Sequence, residues 1–273
     1  MDDRQRRAWA ALGIGPAWLL RDPSARAEAD GVASGEAEAT PTSGPLSEPT
    51  TEPISEPISE PISESPMVIA RSPGPGVRRD TAIAGLSWPA LSEAVSGCRA
   101  CGLCEGRRNT VFGTGPNPAR WMLVGEAPGQ QEDLSGEPFV GAAGQLLDQM
   151  LRAIGVDRAG ETFIANVLKC RPPGNRDPRP EEVACCEPYL LRQVELLQPR
   201  LIVVMGRFAA QSLLRTDATV GSLRGRVHAW RAGDREVPLV VTYHPAYLLR
   251  NLPDKAKAWA DLRLARRTFD ALG

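Results

Sequence analysis

Four cysteines are the residues of this chain whose type and spacing most clearly indicate chemistry. Cys98 and Cys101 form a C-x-x-C pair, and Cys170 and Cys186 follow far downstream. Thiolates that converge from two distant segments usually hold a zinc ion or an iron–sulfur cluster. The spacing therefore predicts a metal site that joins the start of a folded domain to its middle, and it leaves both metals open.

The other two cysteines, Cys104 and Cys185, lie next to or near these predicted ligands. We interpret them as spare or small buried thiols. The amino-terminal segment 1–22 contains no long apolar run, so we expect neither a signal peptide nor a membrane span. Free thiols and a cytoplasmic location are then expected rather than structural disulfides.

Three further candidates for chemistry follow predicted apolar strands. Glu126 follows the first strand in the turn Gly-Glu-Ala-Pro-Gly, Asn166 lies near the end of the second, and His244 follows the last. A carboxylate and an imidazole suit acid–base chemistry and charge stabilisation. Ligands of parallel sheets gather at the carboxyl ends of strands, so we expect these three side chains to share one site.

The elements that must position these residues alternate between strands and helices. The strands show no polar face, which is typical of a parallel sheet covered on both sides. We predict an α/β fold with three layers, α/β/α, around a central, mostly parallel four-stranded sheet. The predicted strands are 120–125, 162–168, 201–206 and 237–242, and the predicted helices are 143–154, 180–197, 207–214 and 254–269.

Composition divides the chain into three parts. Residues 1–21 are predicted to form a short helical segment, and residues 22–85 a disordered linker rich in Pro, Ser and Glu, with Glu-Pro-Ile-Ser repeated. The folded domain is placed at 86–273. The net charge is −1 overall, but the first two parts are acidic and the domain is slightly basic. That balance fits a nucleic-acid binder and equally an ordinary soluble surface.

The motifs, taken in order, resemble the uracil-DNA glycosylase superfamily, and within it the iron–sulfur branch, family 4. The resemblance covers about residues 95–268. It is carried by C-x-x-C at 98–101, GEAPGQQED at 125–133, PFVGAAGQLL at 138–147, NVLKCRPPGNRDP at 166–178, MGRFAAQSLL at 205–214 and HPAYLLRN at 244–251.

The resemblance implies an enzyme that flips uracil out of DNA and hydrolyses its N-glycosidic bond, leaving an abasic site for base excision repair. Glu126 and His244 would be catalytic, with Glu126 either orienting the water or only lining the pocket. Other branches carry the acid one residue later, where this chain has Ala127. The implied uracil-binding residues are Ala127, Glu132, Phe139 and Asn166, with Glu132 at the pocket wall beside the pyrimidine C5.

The resemblance also implies a [4Fe–4S] cluster on Cys98, Cys101, Cys170 and Cys186, with a structural role. Expected DNA contacts are Arg171, Arg176, Leu248, Leu249 and Arg250, where the two leucines could instead belong to the core. We expect a monomer that binds uracil-containing DNA, single- or double-stranded, at the bacterial nucleoid. A protein partner of the amino-terminal segment is left open.

The sequence leaves open two alternatives of other classes. One is a non-catalytic or DNA-trapping protein on the same fold, although the trapping branch uses a histidine in a basic loop and this chain has Gly174-Asn175-Arg176-Asp177 there. The other is a zinc-ribbon DNA binder.

Overall fold

The computed structural model describes residues 75–232 and 235–273, and the side chains of 75–78 and 232 are not described. The predicted amino-terminal helix and most of the predicted linker lie outside these residues. The strands are β1 (Trp121–Gly125), β2 (Thr162–Asn166), β3 (Leu201–Met205), β4 (Val227–Ala232) and β5 (Arg235–Thr242). The helices are α1 (Pro75–Ala84), α2 (Trp88–Ser96), α3 (Leu103–Gly106), α4 (Gln130–Ser135), α5 (Ala142–Ala153), α6 (Pro180–Leu197), α7 (Arg207–Leu214), α8 (Val220–Leu223), α9 (Pro245–Arg250) and α10 (Lys255–Ala271), with 3₁₀ turns at Pro173–Asn175 and Leu252–Asp254.

The sheet has the order β2-β1-β3-β5-β4, and all neighbours are parallel except β4, which is antiparallel to β5. The predicted α/β class is confirmed, but the sheet has five strands rather than four. The additional strand, β4, lies at an edge, and among its described side chains only Trp230 is buried. Because an edge strand in water needs no continuous apolar run, its sequence lacked the signal that identified the others.

Helices cover both faces of the sheet, which explains why β1, β2 and β3 are apolar at nearly every position. On one face, Leu190 of α6 and Leu213 of α7 pack with strand residues such as Val204. On the other face, Leu147 of α5 and Phe269 of α10 do the same. Burial of each such side chain contributes about 1.5–3 kcal/mol relative to leaving it exposed.

The folded part begins before the predicted boundary at residue 86, because Pro75–Ala84 forms α1. Ile83 of this helix is 4% exposed and packs with Leu91, Val95 and Tyr189. Arg79 donates a hydrogen bond of 2.7 Å to the carbonyl oxygen of Cys185. One buried isoleucine in a Pro- and Gly-rich stretch was too weak a signal for a helix. Across the described residues, no helix has both the length and the apolarity to span a membrane.

Parallel pairing brings the carboxyl ends of four strands to one edge. Gly125 is paired with Asn166 between β1 and β2, and Met205 with Thr242 between β3 and β5. The residues that follow these strands therefore meet above the same edge, as the sequence predicted for the candidate chemical residues.

Candidate active site

A cavity of about 630 Å³ opens at this carboxyl edge. Its volume falls within the range of about 300–1,000 Å³ that is usual for small-molecule sites. Eight of the predicted site residues line it, namely Glu126, Ala127, Glu132, Phe139, Asn166, Arg176, His244 and Arg250.

Asn166 lines the cavity with only 1% of its surface exposed. Its Oδ1 is buried and has no hydrogen-bond partner among the described residues. The paired residue Gly125 leaves room for this amide, since a Cβ there would lie 2.4 Å from Oδ1 and 2.8 Å from the Phe139 ring. A buried acceptor without a donor costs about 1–3 kcal/mol, so the site is built for a ligand that supplies one.

Phe139 forms the aromatic wall of the same site. Its ring is stacked on that of His244, with centroids 5.4 Å apart and planes at 28°. Its backbone has φ of +54°, an unusual value for a bulky residue. Arg158, which is ion-paired with Asp148, holds this conformation by donating to the carbonyl oxygens of Pro138 and Phe139 at 3.0 and 3.1 Å.

His244 precedes α9 and is fixed as a neutral donor. Its Nδ1 accepts a hydrogen bond of 3.1 Å from the backbone N–H of Ala246, so Nε2 carries the ring proton. Burial and the positive charge of Arg250 lower the pKa of His244 to about 4, against a smaller opposing effect of Glu132. At neutral pH the imidazole is therefore uncharged, and the Nε2–H is available to a ligand.

Glu126 follows β1 and is tied to the first turn of α7. Its Oε1 accepts a hydrogen bond of 2.9 Å from the backbone N–H of Phe208. Gly206 makes this approach possible, because its φ is +97° and a Cβ would lie 2.5 Å from Oε1. Burial, assisted by the charge of Asp177, raises the pKa of Glu126, while the N–H groups of Arg207 and Phe208 oppose that rise. The carboxylate can therefore accept a proton more readily than an exposed one.

Glu132 lines the cavity, but both of its carboxylate oxygens are bound by backbone. Oε2 accepts from Gly129 N at 3.1 Å, and Oε1 accepts from Val140 N at 3.0 Å and Gly141 N at 3.2 Å. The side chain thus joins the loop after β1 to the loop that carries Phe139.

The three predicted DNA-contacting arginines have different environments. Arg250 is exposed at the cavity rim. Arg176 also lines the cavity, and its guanidinium forms two hydrogen bonds, of 2.9 and 2.5 Å, with the Glu182 carboxylate. Arg171 does not line the cavity, and its Nε donates to Asn175 Oδ1 at 2.7 Å.

The prediction that Leu248 contacts DNA is wrong. Leu248 is 1% exposed and packs with Met150 and Trp259 in the core beside α9. Leu249 is 41% exposed. On the α9 helix, Leu248 therefore faces the core and Leu249 faces outward.

All six cysteines of the chain line one small pocket between α2, the end of β2 and α6. Burial raises the pKa of Cys170 and raises that of Cys186 to about 12. Arg107 donates to Cys170 Sγ at 3.2 Å and to the Cys98 carbonyl at 2.8 Å. Within residues 75–232 and 235–273, no three His, Cys, Asp or Glu side chains are grouped closely enough to hold a metal ion.

Sequence reasoning missed Lys169, which is 2% exposed between the two sites. Its ammonium donates to the Asn166 carbonyl at 2.8 Å and to Gln193 Oε1 at 2.6 Å. Burial lowers the pKa of Lys169 to about 7, and the thiols of Cys186 and Cys170 oppose this. Its place between the pocket asparagine and a predicted ligand was a signal that could have identified it.

Comparison with known proteins identifies the family. A sequence model of the uracil DNA glycosylase superfamily matches residues 112–263. The type-4 uracil-DNA glycosylase of Archaeoglobus fulgidus is 47% identical over 159 residues, which is 57% of this chain and 79% of the relative. That of Pyrobaculum aerophilum is 43% identical over 178 residues, 64% of this chain and 90% of the relative. That of Thermotoga maritima is 44% identical over 162 residues, 59% of this chain and 82% of the relative. A match of this extent, to relatives covered over most of their length, shows that the chain belongs to the type-4 branch of the uracil-DNA glycosylase superfamily.

Proposed function

We infer that this chain is a uracil-DNA glycosylase, a hydrolase that flips uracil out of DNA and cleaves its N-glycosidic bond. The observation that carries this inference is the unpartnered Oδ1 of Asn166, enclosed with Phe139 and the neutral His244 in one cavity. The relatives of this chain named above are uracil-DNA glycosylases. A trapping protein is not favoured, because this chain has no histidine in the loop at 174–177.

Uracil recognition is assigned to Asn166 and Phe139. Uracil presents an N3–H donor and an O4 acceptor, which match the amide oxygen and amide nitrogen of Asn166. Cytosine presents the opposite pattern and would leave buried groups unpaired at a cost of about 1–3 kcal/mol. Phe139 supplies a stacking face, and Ala127 and Glu132 complete the pocket wall.

Bond cleavage is assigned to His244 and Glu126. The electron pair of the C1′–N1 bond leaves with uracil, and the Nε2–H of His244 stabilises the negative charge at uracil O2. Glu126 stabilises the positive sugar and orients a water whose oxygen bonds to C1′. The carboxylate takes the proton of that water, for which its raised pKa is suited.

The four predicted ligands fit a [4Fe–4S] cluster by their chemistry. Cys98, Cys101, Cys170 and Cys186 offer an all-thiol set, and the guanidinium of Arg107 lies against it. Each thiolate of such a cluster binds a different iron, so the four sulfurs need not meet at one point as they would around zinc. When bound, the cluster supplies covalent cross-links between three parts of the chain. Iron and zinc contents of anaerobically purified protein distinguish the two metals.

DNA binding is assigned to the rim of the cavity. Arg250 is exposed there, Leu249 beside it is also exposed, and Arg176 and Arg171 lie in the loop after β2. We further propose that the protein acts as a monomer, on single or double strands, in the cytoplasm.

A release assay tests the proposed function. The purified protein is incubated with excess oligonucleotide containing uracil, and free uracil and abasic sites are counted per enzyme. Many turnovers are expected with uracil and none with thymine or cytosine. Stoichiometric binding without free uracil would overturn the proposal in favour of a DNA-trapping protein.

A further inference from the structure

We propose that the outer part of the cavity binds the nucleotide that neighbours the uracil on the same strand, with its base stacked on Tyr247. This inference rests on the proposed function. The cavity is much larger than one pyrimidine ring, and Tyr243 and Tyr247 line it without a part in uracil recognition. Their rings are stacked on each other, with centroids 5.0 Å apart and planes at 20°.

The two tyrosines are held as a rigid platform. Tyr247 Oη donates a hydrogen bond of 2.6 Å to Asp254 Oδ2. The guanidinium of Arg224 lies over the Tyr243 ring at 5.8 Å, and its Nε and Nη2 each donate to the Asp261 carboxylate at 2.9 Å.

The anchor of this platform is deeply buried. Asp261 has no exposed surface, and its Oδ2 also accepts from Thr242 Oγ1 at 3.0 Å. Thr242 ends β5 and directly precedes Tyr243, so the network fixes the backbone from which Tyr243 extends, and the ring of Tyr247 is stacked on that of Tyr243. A ring fixed in this way loses little conformational entropy when a base stacks on it.

The platform lies where the DNA strand must pass. Tyr247 is on α9, the helix that begins directly after His244, and the backbone N–H of Tyr247 donates to the His244 carbonyl at 2.9 Å. A flipped uracil stays bonded to its neighbours, so the strand leaves the cavity over residues next to His244. Arg250, exposed on the same helix, supplies a positive charge for the phosphate between the two nucleotides.

Stacking of a base on an aromatic ring is worth about a five- to 150-fold change in affinity and tolerates any base sequence. In a single strand the neighbouring base is unpaired and free to stack, whereas in a duplex its own partner holds it. The platform therefore favours uracil in single strands.

The test compares three single-stranded substrates. One has normal bases around the uracil, and the others carry an abasic analogue in place of the neighbouring base on the 5′ or the 3′ side. For the unmodified protein we expect KM to rise about tenfold when one of the two neighbours is absent, and little change for the other.

Tyr247→Leu keeps apolar bulk but removes the ring, so its KM with the normal substrate should rise by a similar factor and then be insensitive to the abasic analogue. Tyr247→Phe should retain the dependence on the neighbouring base. Leu252→Ala, at a residue 54% exposed that the platform does not use, is the control. Melting temperatures check that each variant is folded.

Equal sensitivity of the Tyr247→Leu variant and the unmodified protein to the missing base would overturn this inference. Insensitivity of the unmodified protein on both sides would do the same. If the unmodified protein released no uracil from any substrate, the proposed function itself would fail, and that result is distinct from release without dependence on a neighbour.

Discussion

Substitution of Glu132 tests whether this carboxylate supports the pocket or excludes thymine from it. In the structure its two oxygens accept hydrogen bonds from three backbone N–H groups, those of Gly129, Val140 and Gly141. Glu132→Gln retains the shape of the side chain but has only one acceptor oxygen. The amide NH₂ would face a backbone N–H that it cannot bind, so at least one of the three hydrogen bonds is lost. The remaining hydrogen bonds then have a neutral acceptor instead of a charged one.

The size of the effect follows from these bonds. A hydrogen bond to a charged group contributes about 1.5–3 kcal/mol when it is protected from water. Val140 is 37% exposed, and water can replace part of what is lost there. We therefore expect a net loss of about 1–3 kcal/mol, taken from the loop that holds Phe139 in its unusual conformation. If the loop must be ordered for catalysis, kcat/KM for uracil falls about five- to 150-fold.

The assay measures kcat/KM with uracil- and thymine-containing oligonucleotides, together with amide hydrogen exchange in 129–141. For Glu132→Gln we expect slower uracil release, faster exchange in these loops and no thymine release. Glu137→Gln changes an exposed glutamate in the same region and is the matched control. Thymine release by the Glu132 variant, with uracil release and exchange unchanged, would refute the supporting role and favour steric exclusion at C5.

Three other predictions concern the remaining parts of the site. Asn166→Asp should reduce the preference for uracil over cytosine by about tenfold or more, because a protonated carboxyl can donate where the amide accepts; unchanged selectivity in a release assay would contradict that role. His244 should remain neutral down to about pH 4. The decrease of kcat/KM at acid pH should therefore follow protonation of Glu126, with a midpoint above the usual pKa of a carboxyl group. An NMR titration of His244 centred near 6.5 would be inconsistent with this. Cys170→Ala should lower the melting temperature and the iron content, and any loss of activity should follow from the loss of folded protein. A stable variant that lost only activity would argue against a structural cluster.

The parallel core was predictable because burial on both faces leaves a direct trace in the sequence. β1 and β3 are continuous apolar runs and β2 is apolar at its three central positions, while the polar residues at the ends of β1, β2 and β5 marked the functional edge. Glu126, Asn166 and His244 could be placed together from strand order alone, since parallel strands present their carboxyl ends on one side. Their bonding partners could not, because these come from elements distant in the sequence, such as the first turn of α7.

Elements with weak apolar patterns were missed for physical reasons. The segment after His244 was expected either to contact DNA or to join the core, and no helix was predicted there, but Pro245 begins a short helix that turns Leu248 into the core and Leu249 outward. The α1 helix depends on Ile83 and on Arg79, whose bond to Cys185 joins residues remote in the chain. Tertiary contacts of this kind decide the structure where local propensity does not.

The two proposed catalytic residues lie where the reaction would place opposite charges. Burial and then Arg250 lower the pKa of His244, so this end of the cavity has a positive potential that outweighs Glu132. Burial raises the pKa of Glu126 against the opposing N–H groups of Phe208 and Arg207, and the Glu126 carboxylate is itself the negative group at that end. Cleavage of the glycosidic bond places negative charge on uracil beside His244 and positive charge on the sugar beside Glu126. His244 and Glu126 therefore stabilise the separated charges without moving, because Nδ1 of His244 and Oε1 of Glu126 are each fixed by a backbone N–H.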